Sequence, residues 1–224
     1  MKSAKQQQLE RSWESNAHAW TEAVRGGAIA SRRLGTDAAI IDSILTRDPR
    51  RVLDVGCGEG WLARALATRD IDVTGIDASA PLIERARAEA GGTFHVCSFS
   101  ALPGATMLGK YDVVVCNFAL LDEDIVPVLQ ALRSLIQARG ALIVQTVHPW
   151  TARGDGEYRD GWRTETFAGF GDGFSEPMPW FFRTLSSWTS ALDDGGYRVE
   201  ELREPLHPET GEPLSLLLIA SPHN

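Results

Sequence analysis

Apolar and polar positions change period several times along the chain, and each change marks an element. From residue 9 to 45 apolar residues recur at helical spacing. Trp13, Ala17, Trp20 and Val24 come first; after Gly26-Gly27 the pattern resumes with Ile29, Leu34, Ile40, Ile41, Ile44 and Leu45. Asp48-Pro49 ends this helical part, and Arg51–Val55 follows as a short apolar, β-branched run that reads as a strand buried on both faces. A turn rich in glycine, Gly56 to Gly60, then leads into an amphipathic helix through Trp61, Leu62, Leu66 and Ala67.

The same alternation continues. Residues 71–77 form a second strand; Ser79 caps a helix with Pro81 in its first turn, expected to run to Gly91-Gly92. Residues 93–97 and 111–116 are the third and fourth strands. A helix opened by Asp122, Glu123 and Asp124 turns Ile125, Val128, Leu129, Leu132, Leu135 and Ile136 inward and is expected to stop at Gly140. Residues 141–147 are the fifth strand, 184–194 a last helix, and 197–204 and 214–220 two final strands. Strands and helices alternating in this way predict an α/β fold with a doubly wound, mostly parallel sheet of seven strands. Residues 148–183 break the rhythm with many aromatic, glycine and proline residues, a long insert of the kind that more often serves function than connection.

Composition narrows the choice. With 224 residues, 43% hydrophobic and 23% charged, the chain suits a single folded domain over 1–224. Residues 1–48 form a helical cap over it and 148–183 an insert. The 22 basic and 30 acidic residues give a net charge of -8, which argues against nucleic acid held by phosphate contacts. Cys57, Cys97 and Cys116 form no CxxC pair, so reduced thiols are expected and no metal site. No apolar run approaches the ~20 residues needed to span a bilayer. The polar start carries no secretory signal, and the cytoplasm is the expected location.

Strand, glycine turn and helix in that order are the first half of a nucleotide-binding βαβ unit. Asp77, at the end of the next strand, is placed to accept hydrogen bonds from both hydroxyls of a ribose, so an adenosine-containing ligand is the first expectation. Arg25, Arg32 and Arg33 make the cap the most basic part of the chain. They are either a solvated face or a lid carrying a guanidinium for a ligand carboxylate. His148, directly after the fifth strand, is a candidate general base or a residue bonded to a loop carbonyl; His207 is a weaker candidate. Tyr158, Trp162, Arg163, Trp180 and Arg183 are candidate acceptor-pocket residues, or parts of a self-packed loop.

Leu53-Asp54-Val55-Gly56-Cys57-Gly58-Glu59-Gly60 carries acidic-x-Gly-x-Gly-x-Gly. Gly75-Ile76-Asp77-Ala78-Ser79, Tyr111–Val115 and Gly140-Ala141-Leu142-Ile143 follow in order. With these four segments the chain resembles the class I S-adenosylmethionine-dependent methyltransferases, of the small-molecule type similar to the ubiquinone and menaquinone biosynthesis methylases. The resemblance implies a Rossmann-like methyltransferase fold and S-adenosylmethionine as cofactor. It also implies a small-molecule methyl acceptor.

Carried over by position, Asp54 and the backbone at Gly56, Cys57, Gly58 and Gly60 would hold the methionine end of the donor. Asp77 and Ala78 would hold the ribose, Ser98 and Phe99 the adenine, and Asn117 and Phe118 would sit beside the sulfonium, with Arg33 as the lid's contribution. Ser98 departs from the family, which has aspartate there. His148 would be the catalytic base where one is needed, and Tyr158, Trp162, Trp180 and Arg183 the acceptor side. A domain that binds the donor only to sense it, or as a partner subunit, is the alternative. A nicotinamide dehydrogenase is disfavoured by the Gly56-x-Gly58-x-Gly60 spacing and by lysines only at Lys2, Lys5 and Lys110, which leave no Tyr-x-x-x-Lys pair. The oligomeric state is not legible; a homodimer is one candidate.

Overall fold

Seven strands pair in one sheet and place every loop that matters along a single edge of it. A computed structural model describes residues 3–105 and 108–223. Strands β1 (Arg51–Val55), β2 (Asp72–Asp77), β3 (Thr93–Val96), β4 (Tyr111–Asn117) and β5 (Ile136–Val147) are parallel; β8 (Tyr197–Arg203) and β9 (Ser215–Pro222) are antiparallel additions. The order is β3-β2-β1-β4-β5-β9-β8. Helices α3 (Asp37–Leu45), α4 (Trp61–Ala67) and α5 (Ala80–Ala88) lie on one side, and α6 (Val126–Arg133) and α8 (Leu185–Asp194) on the other. The order reverses between β1 and β4, which is where a sheet of this kind opens a crevice at the carboxyl ends of its strands.

The core explains the strand runs. Val52, Val113, Val115, Ala141, Ile143, Leu217 and Ile219 face α3 and α4, while Leu53, Val55, Val114, Cys116, Leu142, Val144 and Leu218 face α6 and α8. Apolar residues on both faces of β1, β4 and β5 are what a centre covered by helices on both sides requires.

Several boundaries differ from the sequence expectation. The fifth helix does not reach Gly140: α6 ends at Arg133 and β5 already begins at Ile136. Leu135 and Ile136 are buried as a helix would bury them, but the Tyr111 N–H donates to the Leu135 carbonyl, so the backbone there belongs to the sheet. Register then jumps from Tyr111↔Ile136 to Val113↔Ala141, and the exposed residues 137–139 loop out as a bulge. The first helix α1 (Ala4–Ser15) starts earlier than the apolar spacing indicated. Ser3 and Gln6 cap its first turn reciprocally, a polar signal. α5 ends at Ala88, short of Gly91-Gly92. The insert also holds regular structure: a short helix α7 (Pro149–Ala152) and an antiparallel hairpin of β6 (Gly161–Glu165) and β7 (Met178–Phe182).

Cap and insert are stitched together. Asn16, fully buried between α1 and α2 (Ala17–Arg25), accepts from the N–H groups of Ser175 (2.8 Å) and Glu176 (3.3 Å) and donates to the Glu176 carbonyl (2.6 Å). Ser12 donates to the same carbonyl. Asn16→Ala is expected to destabilise the chain by about 1–2 kcal/mol, because it removes the hydrogen bonds by which the cap holds residues 175 and 176 of the insert. Thermal unfolding checks this, and an unchanged Tm would contradict the stitching.

Candidate functional site

The glycine turn is shaped by contacts with the second strand. The N–H groups of Gly56 and Cys57 both donate to the Ile76 carbonyl, at 2.8 and 3.0 Å, and the Gly58 N–H donates to Asp77 Oδ2 at 2.9 Å. Gly56 sits at φ +76°, and a Cβ there would stand 2.5 Å from the Ala119 Cβ. The turn therefore packs so closely on the loop after β4 that no side chain fits between them at this position. On the β4 side, Phe118 adopts φ +54° and gives its N–H to the Gln145 carbonyl, which brings Ala119 under the turn. A bulky residue in that conformation stores strain, of the sort that collects at working sites.

Two carboxyl groups meet beneath this turn. Asp54, at the end of β1, is 2% exposed and has no hydrogen-bond donor among the described residues. Burial, with the nearby Asp77 carboxylate adding to it, pushes its pKa up to about 7. A buried carboxyl without a donor, beside the glycine turn, fits an ammonium group. Asp77 accepts the backbone N–H groups of Gly58 and of Ser79 (2.8 Å), with that of Ala78 adding to them, which orients the carboxylate. Burial raises its pKa too, against those N–H bonds. Ala78 is exposed beside it. Ser98 bonds Ser100 at 2.9 Å and opens the 3₁₀ turn Phe99–Gly104 next to β3, with Phe99 half-buried. Asn117 ends β4 half-buried and accepts from Gln145 Nε2 at 3.0 Å.

The basic residues of the cap divide. Arg25 donates to Glu59 (2.8 Å) and Glu89 (3.0 Å), so it reaches the glycine turn through Glu59, a 1%-exposed carboxylate that Arg64 also holds at 2.6 Å. Arg32 pairs with Asp37 and lies 4.3 Å over the Trp61 ring. Arg33 is exposed, with its Cδ 3.5 Å from where a Gly27 Cβ would lie. Trp20 of α2 lies against the turn, its Nε1 3.6 Å from where a Gly58 Cβ would lie. Trp20 packs on Trp13 (5.0 Å) and Phe170 (6.1 Å), and Phe167 and Phe174 continue this wall, stacked at 4.5 Å. Sequence periodicity marked Trp20 only as a helix-face residue; Glu59, a charge inside the motif, was the overlooked signal for Arg25.

The expected acceptor residues form a different cluster. Tyr158, 43% exposed, accepts from the Leu185 N–H at 2.9 Å, Trp162 donates to Glu123 at 3.2 Å, and Trp180 lies half-buried 6.1 Å from Phe182. Arg163 stacks over the Phe182 ring at 3.7 Å. Arg183 is buried and donates to the carbonyls of Asp122 and Glu123, pinning the loop after β4; burial lowers its pKa to about 10. His148 is also accounted for. It caps α7, with Nδ1 accepting from the Trp150 N–H (3.3 Å) and Nε2 2.7 Å from Glu204. Neither ring nitrogen is left for a substrate proton in this geometry. His207 Nδ1 likewise accepts from the N–H groups of Glu209 and Thr210. A groove of about 500 Å³ lined by Arg47, Arg139, Arg198 and His223 lies at the opposite edge of the sheet, away from the glycine turn. Among the described residues no helix is long and apolar enough to cross a membrane, and no group of three metal-ligating side chains occurs.

The sheet order is that of the Rossmann-like methyltransferase fold, and residues 52–140 match the family model described as a methyltransferase domain. Among curated relatives, an uncharacterized methyltransferase of Mycobacterium bovis is 37% identical over 114 residues, 48% of this chain and 56% of that protein. A ubiquinone biosynthesis O-methyltransferase of Psychrobacter arcticus is 33% identical over 107 residues, 44% of this chain and 41% of its own length. The chain thus spans about half the length of the curated relatives it matches. A 1,6-didemethyltoxoflavin-N1-methyltransferase of Burkholderia thailandensis, solved with its substrate and S-adenosylhomocysteine, shares the fold with a TM-score of 0.68 at 17% identity, covering 100% of this chain and 92% of that one.

Proposed function

We propose that the chain transfers a methyl group from S-adenosylmethionine to a small-molecule acceptor. The observation that carries this reading is Asp54, a buried carboxyl lacking a donor at the glycine turn, with Asp77 tied to that turn through the Gly58 N–H. The residues fit the donor: Asp54 for the ammonium, the turn Gly56–Gly60 for the amino-acid backbone, Asp77 for the ribose hydroxyls, and Ser98 with Phe99 for the adenine end. When bound, the sulfonium supplies an already activated methyl group. The protein's part is to orient an incoming nucleophile and exclude water, and holding two reactants in line supplies about 7–11 kcal/mol of a barrier. The Trp13, Trp20, Phe167, Phe170 and Phe174 wall over the turn suits both tasks, since aromatic faces also favour a cation. With both His148 nitrogens engaged, we assign the chain no base of its own and favour acceptors whose nucleophile needs none or is acidic. Aromatic amines, whose lone pair attacks before any proton leaves, are the first to try: aniline with the chain and S-adenosylmethionine should release S-adenosylhomocysteine. Failure across a panel of phenols and amines, with donor binding intact, would turn the assignment toward a donor-binding sensor.

The pKa of Asp54 gives this reading a pH signature. Above pH 7 the carboxyl is ionised and meets the donor's ammonium directly; below it, a proton must leave first. Donor affinity should fall up to about tenfold per pH unit as pH drops from 7 to 5, and Asp54→Asn should flatten that slope. In the ligand-free protein the sign is opposite. A carboxyl raised from 3.8 to about 7 contributes stability that is present below about pH 4 and lost as pH rises to 7. Calorimetric titration with S-adenosylhomocysteine at several pH values checks the first; an affinity independent of pH in the wild type would remove Asp54 from the site.

A further inference from the structure

Three buried polar atoms gather where α3, β5 and β9 meet, and none has a partner. They are Thr36 Oγ1, Gln145 Oε1 and Ser215 Oγ, on residues that are 0%, 1% and 0% exposed. Gln145 fixes their geometry. Its Nε2 donates to the Thr36 carbonyl and to Asn117 Oδ1, both at 3.0 Å, so the amide can only be oriented with Oε1 turned the other way. Gln145 pairs with Leu217 and Val147 with Ser215, which puts Gln145 and Ser215 on the same face of the sheet as diagonal neighbours. Gly35, just before Thr36, abuts Leu214, just before Ser215. Around them are Ile40, Ile143, Leu217 and Ile219, and no ion pair among the described residues involves any of the three.

Leaving such atoms without partners costs about 1–3 kcal/mol each, so three together mark a place for a hydrogen-bonding occupant, a buried water or a ligand group. The cluster adjoins Asn117, at the carboxyl edge of β4 where the reacting centre is assigned. We propose that Thr36, Gln145 and Ser215 form the polar floor of the acceptor pocket and recognise a neutral hydrogen-bonding group. This deepens the methyltransferase reading and rests on it. The chemistry sets the class of group. Gln145 Oε1 accepts only, so the occupant must bring an O–H or N–H. The two hydroxyls donate or accept, so it can also bring an acceptor atom. A carboxylate would face the oxygens of Gln145 and Asn117 without a positive charge, and a cation would lack a counter-charge. A phenolic hydroxyl or an amide meets both demands. The cover is the irregular turn Arg32–Thr36, a π-type turn broken at Gly35, which must shift for an occupant to enter.

The test uses the S-adenosylhomocysteine-saturated chain, titrated with phenol and with toluene, its methyl counterpart, by saturation-transfer NMR. Phenol is expected to bind at least tenfold more tightly, and Thr36→Val and Gln145→Leu to bring the two affinities together. Thr36→Val should keep S-adenosylhomocysteine affinity within twofold and hold or raise Tm, since it removes a hydroxyl that has no partner. Should Gln145→Leu not fold, Thr36→Val alone carries the comparison. Equal binding of phenol and toluene by the wild type, or a preference undiminished in the variants, overturns the polar floor and leaves the methyltransferase reading standing. Absence of S-adenosylhomocysteine binding overturns both.

Discussion

Gly56→Val is expected to weaken S-adenosylhomocysteine binding by more than 100-fold without unfolding the sheet. A valine there carries two penalties at once. At φ +76° a β-branched residue costs about 1–3 kcal/mol of backbone strain, and its Cβ would start 2.5 Å from the Ala119 Cβ. Relief requires moving either the turn, held by two N–H bonds to the Ile76 carbonyl, or Ala119, held by the Phe118 bond to Gln145. Either movement spoils the cradle, and a loss of 100-fold corresponds to about 2.7 kcal/mol. Calorimetry against S-adenosylhomocysteine checks it, with circular dichroism as the control for folding. Wild-type affinity in a folded variant would mean that the donor does not approach this turn.

Asp77→Ala should be nearly as severe, at about 100-fold or more. Hydrogen bonds to a charged group contribute about 1.5–3 kcal/mol each, and the proposed reading gives this carboxylate two ribose hydroxyls. The alanine also frees the N–H groups of Gly58 and Ser79, so the turn loses its tie to β2. Asp77→Asn separates the two effects. One amide oxygen can keep one of those backbone bonds, and the variant should recover part of the loss. If Asp77→Ala left the affinity within threefold, the ribose would have to lie elsewhere.

Much of this site could be read from the chain because strand ends and glycines are local signals. Arg51–Val55, the glycine turn and Asp77 are one strand–turn–helix–strand unit, and short-range pattern alone locates them. What stayed hidden depends on contacts between distant segments. His148 looks like a free base in the sequence, yet Glu204 from the other side of β9 occupies its Nε2. Arg33 and Arg25 are equivalent by composition, and only packing of α2 on the turn selects Arg25 and lays Trp20 over Gly58. The start of β5 was misread because a short apolar run fits strand and helix alike, and the Leu135 carbonyl is committed to the sheet by Tyr111. Gln145 is one polar residue in an otherwise apolar strand, and its partners lie 109 and 28 residues away.

The central claim is that the glycine turn and its two carboxyls hold an adenosine-bearing amino acid. Titrating S-adenosylhomocysteine into the wild-type chain at pH 8, where Asp54 is ionised, tests it most directly. One molecule bound per chain, saturably, and lost in Gly56→Val, is the result expected. A folded wild-type chain that takes up neither S-adenosylhomocysteine nor S-adenosylmethionine would contradict it.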